Sequence, residues 1–277
     1  MSFRGVVAFF AWVGLSCLAA AEQPVLGRKP SYLTKPLSSV PNASAIVKRL
    51  WAPGLDGGYT PQGLSVSDGR LHVVGYGPDG CRLFRLESDG AARSTDVPGC
   101  KHGGGLATIG ANRFVVIDTR ALLIMRDGKV ERTIRLAEPL RGSFGDFDGT
   151  DLWIGSYDRS KPGRIWRIPF AKLDRDFLVE ADAVESFEIP EKAQGMAFGA
   201  GGLWLTFSGS KFGSLAKFDR RTGREIAKYP MPAGIEDIGF DSTGLLWAVS
   251  EAGAKRYVEW NTNFPLVFAL DISRLKP

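Results

Sequence analysis

A short phrase recurs five times along this chain, and that recurrence limits what the chain can become. Each copy is a short apolar strand, a tight turn and a second strand. The clearest copy is Gln194–Phe207, QGMAFGAGGLWLTF. The others open at Gln62-Gly63-Leu64, His102-Gly103-Gly104-Gly105-Leu106, Ser143-Phe144-Gly145 and Glu236-Asp237-Ile238. Successive starts lie 40, 41, 51 and 42 residues apart. A period of about 40–45 residues is that of four strands closing one blade of a propeller.

Each copy continues in the same grammar. A third strand follows, as in Arg82–Leu86, Leu122–Met125, Arg164–Ile168 and Leu215–Asp219. Turn signals at Asp89-Gly90, Asp127-Gly128 and Thr222-Gly223 then precede a polar–apolar fourth strand. Four short antiparallel strands in five units predict an all-β, five-bladed β-propeller. The extra residues of unit three fall at 171–183, where a short helical turn is expected. Unit five lacks its fourth strand, while Ile46–Trp51 is a strand without a hairpin partner. Placed at the outer edge of blade five, the N-terminal strand closes the ring and covers an open sheet edge.

Trp153, Trp204 and Trp247 hold one position of the second strand, where unit one has His72 and unit two Val115. Large flat residues there are expected to pack blade on blade, which gives His72 a structural role.

The N-terminus carries a different signal. Arg4 precedes an apolar run from Val6 to Leu18, and Ala19-Ala20-Ala21 follows. This is the pattern of a secretory leader, with cleavage expected after Ala21. Cys17 raises a lipoprotein as the rival, but Gly14 stands where a lipobox usually has Leu. The run is shorter than the roughly 20 residues a membrane span needs, and no later segment is long enough. The expected organisation is a leader at 1–21, a Pro-rich extended lead-in at 22–44 and one propeller domain at 45–277. The expected location is periplasmic or extracellular. Without the leader the chain keeps 34 Lys and Arg (35 less Arg4) against 30 Asp and Glu, or +4, with no basic run. That gives nucleic-acid binding little support, whereas an anionic ligand is compatible. Cys81 and Cys100 bracket the third and fourth strands of unit one, which are antiparallel neighbours, so a disulfide is expected.

Strand direction puts the starts of the first strands and the loops after the second strands on one face. Gln62, His102, Gln194, Glu236 and Asp237 gather there at the channel mouth, with Tyr76, Tyr157, Glu251 and Arg256 in the loops. These are the candidate ligand-binding residues for a small molecule or an extended peptide or glycan. His102 is the candidate general base, with Glu236 or Glu251 as acid or metal ligand. Glu236 and Asp237 are the candidate metal ligands, and Ca²⁺ the cation their oxygens would suit. The Glu251–Phe264 loop is longer than its counterparts, as functional loops often are. No Walker loop, dinucleotide fingerprint, HExxH or G-x-S-x-G is present. Oligomeric state is not legible in the sequence.

The Gln-Gly strand starts, the His102–Leu106 motif and the Glu251–Tyr257 loop resemble a bacterial group of secreted five-bladed propellers. Thr60-Pro61-Gln62-Gly63-Leu64 is similar, more distantly, to plant-type glutaminyl cyclotransferases, whose later Glu-Gly strand start is not matched here. Gluconolactonase-like propellers, usually six-bladed with a metal at the channel, are a third likeness, without their Asn in this chain. What this implies is a ligand-binding exported propeller, or else a lactonase-like or esterase-like hydrolase or a cyclotransferase working at the same mouth.

Overall fold

The computed structural model describes residues 24–277, so the leader and Cys17 lie outside the described residues. Five antiparallel sheets are arranged as blades around a channel. Blade 1 comprises Thr60–Ser67, Arg70–Gly77, Gly80–Leu86 and Ala92–Val97; blade 2 comprises Gly105–Gly110, Arg113–Asp118, Ala121–Arg126 and Lys129–Leu136. Blade 3 runs Phe144–Phe147, Asp151–Gly155, Gly163–Pro169 and Glu185–Ile189, and blade 4 Ala193–Gly199, Gly202–Gly209, Phe212–Phe218 and Glu225–Met231. Blade 5 has Ile235–Phe240, Leu246–Ser250 and Leu266–Leu270, and its fourth strand is Ile46–Trp51. That strand runs antiparallel to Leu266–Leu270, from Ile46 opposite Leu270 to Trp51 opposite Leu266. The N-terminal closure is therefore as expected.

Two additions lie beyond the basic plan. Val25–Leu26 extends blade 5 as a parallel fifth strand beside Arg49 and Leu50. The insertion in blade 3 does more than turn. Between 3₁₀ helices at Phe170–Asp174 and Glu180–Asp182, Phe177–Leu178 adds a parallel strand to the outer edge of blade 2.

The second strands are buried on both faces and read as nearly continuous apolar runs such as Phe114-Val115-Val116-Ile117, whereas outer strands such as Ala92–Val97 are largely exposed. Successive side chains go to opposite faces. Val73 packs toward blade 5, in a cluster with Val249 and Val267. Val74 packs toward blade 2, with Leu106 and Val116. Five such apolar clusters occur, one at each blade interface, including the interface that closes the ring between blades 5 and 1.

The aromatic column serves this packing. Trp153 of blade 3 lies against Phe198 of blade 4, with ring centroids 5.3 Å apart, and Trp204 against Phe240 of blade 5 at 6.1 Å. His72 takes the same place in blade 1, 4.5 Å from Phe114 of blade 2. Its burial lowers its pKa to about 4, so it is a neutral packing residue. The indole N–H groups are also used. Trp153 and Trp247 each donate over 2.8 Å to the carboxylates of Asp148 and Asp241, within their own blades' first hairpins.

The disulfide between Cys81 and Cys100 is formed, with Cα atoms 5.5 Å apart. Cys100 sits in the turn beyond the fourth strand rather than in the strand itself, and leads directly into Lys101-His102-Gly103. Among the described residues, no helix is long and apolar enough to cross a membrane.

Candidate functional site

Strand register defines which residues share a place at the mouth. His72, Val115, Trp153, Trp204 and Trp247 pair with Ser65, Ala107, Asp146, Ala197 and Gly239 of the first strands. Counting back three residues aligns Gln62, Gly104, Ser143, Gln194 and Glu236. Gly104, not His102, is therefore the blade 2 counterpart of Gln62. A side chain at Gly104 would meet the carbonyl oxygen of Ser143 at 2.2 Å, so only glycine fits there. Two residues further back stand His102, Arg141 and Lys192 in blades 2, 3 and 4, an outer rim of basic side chains.

The position one residue inside the mouth is Gly in blades 1, 2 and 4 and Asp237 in blade 5. The glycines let the first strands approach closely: a Cβ on Gly195 would lie 2.5 Å from Asp237 Cα, and one on Gly63 2.6 Å from the Gly105 carbonyl carbon. Asp237 fills the space they leave. One of its oxygens accepts from the N–H of Leu64 at 3.0 Å and Leu106 at 3.1 Å, and the other from Met196 at 3.3 Å. Burial raises its pKa well above the carboxylate range, while these N–H donors pull the other way. Asp237 thus joins the inner strands of blades 1, 2 and 4 to blade 5, deep in the channel.

Above it lies a pair of glutamates. The carboxyl groups of Glu236 and Glu251 are hydrogen-bonded to each other. Two carboxyls can do this only by sharing a proton. Glu236 is 2% exposed, and burial followed by repulsion from Glu251 pushes its pKa well up. Burial also raises Glu251, to about 7, against the pull of Gln62 and Glu236. Neighbouring blades hold the pair. Gln62 Nε2 of blade 1 donates to Glu251 Oε2 at 2.7 Å, and Gln194 Nε2 of blade 4 donates to Glu236 Oε1 at 3.2 Å. Thr206 Oγ1 donates to the Glu236 carbonyl at 2.6 Å.

Of the pair, Glu251 lines a cavity of about 1190 Å³. Gln62, His102, Tyr157, Gln194 and Glu251 line it, whereas Glu236, Asp237, Tyr76 and Arg256 are not part of the lining. Sequence reasoning missed Arg141, Lys192 and Trp260, which also line it. For the first two the signal was available, since they sit two residues before the aligned starts Ser143 and Gln194, as His102 does before Gly104. Lys192 adopts a left-handed φ of 63°, held by main-chain hydrogen bonds from its N–H to Asp158 and to its carbonyl from Ser208.

His102 stands exposed at the rim with its ring 4.8 Å from Tyr76. Its loop is fixed from below. The Asp118 carboxylate accepts from the N–H groups of Lys101, His102 and Gly103, and Gly103 leaves no room for a side chain above Cys100 Sγ. Desolvation against its neighbours, with the charge of Arg256, holds the imidazole below its ordinary pKa, although Asp118 pulls upward. Tyr76 and Tyr257 meet through their hydroxyls at 3.3 Å, Trp260 stacks on Tyr257 at 4.4 Å, and the Arg256 guanidinium lies 5.6 Å from the Tyr76 ring centre. The Glu251–Phe264 loop carrying these groups is pinned by the lead-in. Asn263 Nδ2 donates to the carbonyls of Lys35 and Pro36, and Tyr32 donates to the carbonyl of Gly253.

Among the described residues, no group of three or more His, Cys, Asp or Glu side chains is arranged to hold a metal ion. Asp237, one of the two candidate ligands, has both oxygens engaged by main-chain N–H groups.

No protein-family model matches the chain, and no curated protein sequence is significantly similar to it. Solved structures do match. A glutaminyl cyclase from Myxococcus xanthus superposes with a TM-score of 0.58 at 14% identity, over 81% of this chain and 94% of that one. The PQQ-bound aldose sugar dehydrogenase of Streptomyces coelicolor gives 0.50 at 14% identity, over 76% and 94%. A gluconolactonase from Xanthomonas campestris gives 0.46 at 16% identity, over 69% and 70%. The likeness is one of fold.

Proposed function

We propose that this protein is an exported propeller that binds a small or extended ligand at the channel mouth. The observation that carries this reading is the buried, proton-sharing Glu236–Glu251 pair, of which Glu251 lines a large cavity. Burying two carboxyls side by side is costly. Strained or costly polar groups of this kind gather where a ligand will use them. Export is supported by the leader pattern and fits the disulfide between Cys81 and Cys100.

The same pair supports a second reading, an acid–base enzyme. Glu251 faces the cavity with a pKa near neutrality, which suits a group that takes a proton and returns it. In an acyl transfer Glu251 would accept the proton of an attacking amine or water, and return it to the departing nitrogen or oxygen. Lactone or ester hydrolysis and cyclisation of an N-terminal glutamine both fit that proton balance, and a glutaminyl cyclase shares the fold. His102 would serve at the rim, above the pair.

Purified mature protein would be screened by thermal shift against carboxylates, sugars and peptides, and by turnover against lactones, aryl esters and N-terminal glutamine peptides. A ligand whose stabilising effect disappears in Glu251→Gln supports the binding reading. Turnover abolished by the same substitution, with melting temperature retained, supports the enzyme. A ligand that stabilises wild type and Glu251→Gln equally would place its site elsewhere and overturn both.

A further inference from the structure

The two halves of the mouth differ in chemistry. Blades 5, 1 and 2 supply aromatic rings: Trp260 and Tyr257, backed by Tyr76, with His102 beside them. The opposite half, from the entry of blade 3 through blade 4, carries the charge, with Arg141, Arg159, Lys192 and Lys211 beside the rings of Tyr157 and Phe212. Lys192 is paired with Glu191 at 2.9 Å. Arg141, Arg159 and Lys211 are exposed and make no hydrogen bond or ion pair among the described residues. Arg141 lies near Asp158, but that carboxylate is already bound by the N–H groups of Ser160 and Lys161. The lining also carries hydroxyls, from Thr119, Ser143, Ser160, Ser208 and Ser210.

From this arrangement we infer that the ligand is an acidic carbohydrate, a sugar chain bearing carboxylates. The inference rests on the reading of the mouth as a ligand site. The aromatic half offers flat faces against which the C–H face of a sugar ring packs. The basic half meets a carboxylate. The hydroxyls, the Gln62 and Gln194 amides and the Glu251 carboxyl pair with ring hydroxyls. At about 1190 Å³, the cavity is larger than the roughly 300–1,000 Å³ of ordinary small-ligand pockets, which fits several linked rings.

Other anions fit less well. Phosphate is held by clusters of free main-chain N–H groups or by helix N-termini. Here the N–H groups of the mouth loops are consumed by Asp118 and Asp158, and the described helices are 3₁₀ turns of three to five residues. A nucleobase would want two facing rings. Here Tyr76 and His102 pack on each other with centroids 4.8 Å apart, and Tyr257 and Trp260 with centroids 4.4 Å apart, too close to admit a base between them.

The test is calorimetric titration of the full mature chain with an oligogalacturonate, its fully methyl-esterified counterpart and a set of non-sugar carboxylates, including glutamyl peptides. The oligogalacturonate should bind at least about tenfold more tightly than the neutral ester, a difference of about 1.4 kcal/mol. Arg159→Glu with Lys211→Glu, both at exposed positions, should remove that preference at unchanged melting temperature. Trp260→Ala should weaken the acidic and the neutral chain alike, with Trp260→Phe intermediate. Equal binding of acid and ester overturns the inference, as does binding indifferent to Trp260 and abolished by salt, which would be charge attraction alone. If only a peptide or non-sugar acid binds, and does so through Glu251, the carbohydrate inference falls while the ligand site stands. If no compound in any class binds, both fall.

Discussion

Gln62 of blade 1 donates a 2.7 Å hydrogen bond to the carboxyl of Glu251 in blade 5, across the interface where the ring closes. The acceptor is itself bonded to Glu236, which Gln194 of blade 4 holds from the other side. One chain of polar contacts therefore links three consecutive blades, and a proton is part of it.

Titration of this pair makes stability depend on pH. Glu251 has a folded-state pKa of about 7 against an ordinary value of 4.5, so between those values the folded state holds more protons than the unfolded one. Stability contributed by this group is complete below about pH 4.5 and declines as pH rises toward 7 and beyond. Asp146, also raised to about 7 by burial, acts in the same direction, while His72, lowered to about 4, acts oppositely below pH 6.5. Subtracting the urea-denaturation profile of Glu251→Gln from that of wild type isolates the pair. The difference should shrink as pH rises from 5 to 8, and a flat difference would refute the raised pKa of Glu251.

Asp237→Ala should be among the most damaging single changes in the chain. It strands the buried N–H groups of Leu64, Leu106 and Met196 at the centre of the ring, each at about 1–3 kcal/mol. The expected loss is at least about 3 kcal/mol, read from equilibrium denaturation. Asp237→Asn, which keeps one acceptor oxygen, should lose less.

Replacing both Cys81 and Cys100 by Ser should cost about 3 kcal/mol, the chain-entropy value for a loop near this 19-residue separation. Thiol titration of unfolded wild type, with and without reductant, checks the bond itself. Because Gly103 rests over Cys100 Sγ, amide exchange in Lys101–Gly103 should also quicken in the double variant.

Asn263→Ala removes the two hydrogen bonds that tie the long blade 5 loop to Lys35 and Pro36 of the lead-in. Hydrogen exchange across residues 251–264 should rise by about tenfold or more, corresponding to roughly 1–2 kcal/mol of local stability. Exchange in the blade 3 strands, far from the change, should stay as in wild type.

The architecture was legible because it is written in local, repeated signals. The Asp68-Gly69 and Asp127-Gly128 turns both take the left-handed backbone that tight hairpins need. The missing fourth strand of blade 5 and the surplus strand Ile46–Trp51 likewise identified each other, because an open sheet edge demands a partner. The disulfide followed from strand adjacency.

The mouth was legible only in part. Gln62, Gln194, Glu236 and Glu251 were recognisable as polar groups at repeat starts and in a long loop. The sequence by itself determined that they would converge, since the repeat places the same position of every blade on one ring. Which of them touch was decided by the tertiary structure. Asp237 and Glu236 are adjacent in the chain, yet one is saturated by three other strands and the other shares a proton with Glu251. His102 was aligned with Gln62 on sequence, but a glycine run hides register, and only pairing across to Val115 reveals that Gly104 takes that place. Strand periodicity is a property of neighbours along the chain. The protonation of a buried carboxyl depends on which side chains other blades bring within hydrogen-bond reach.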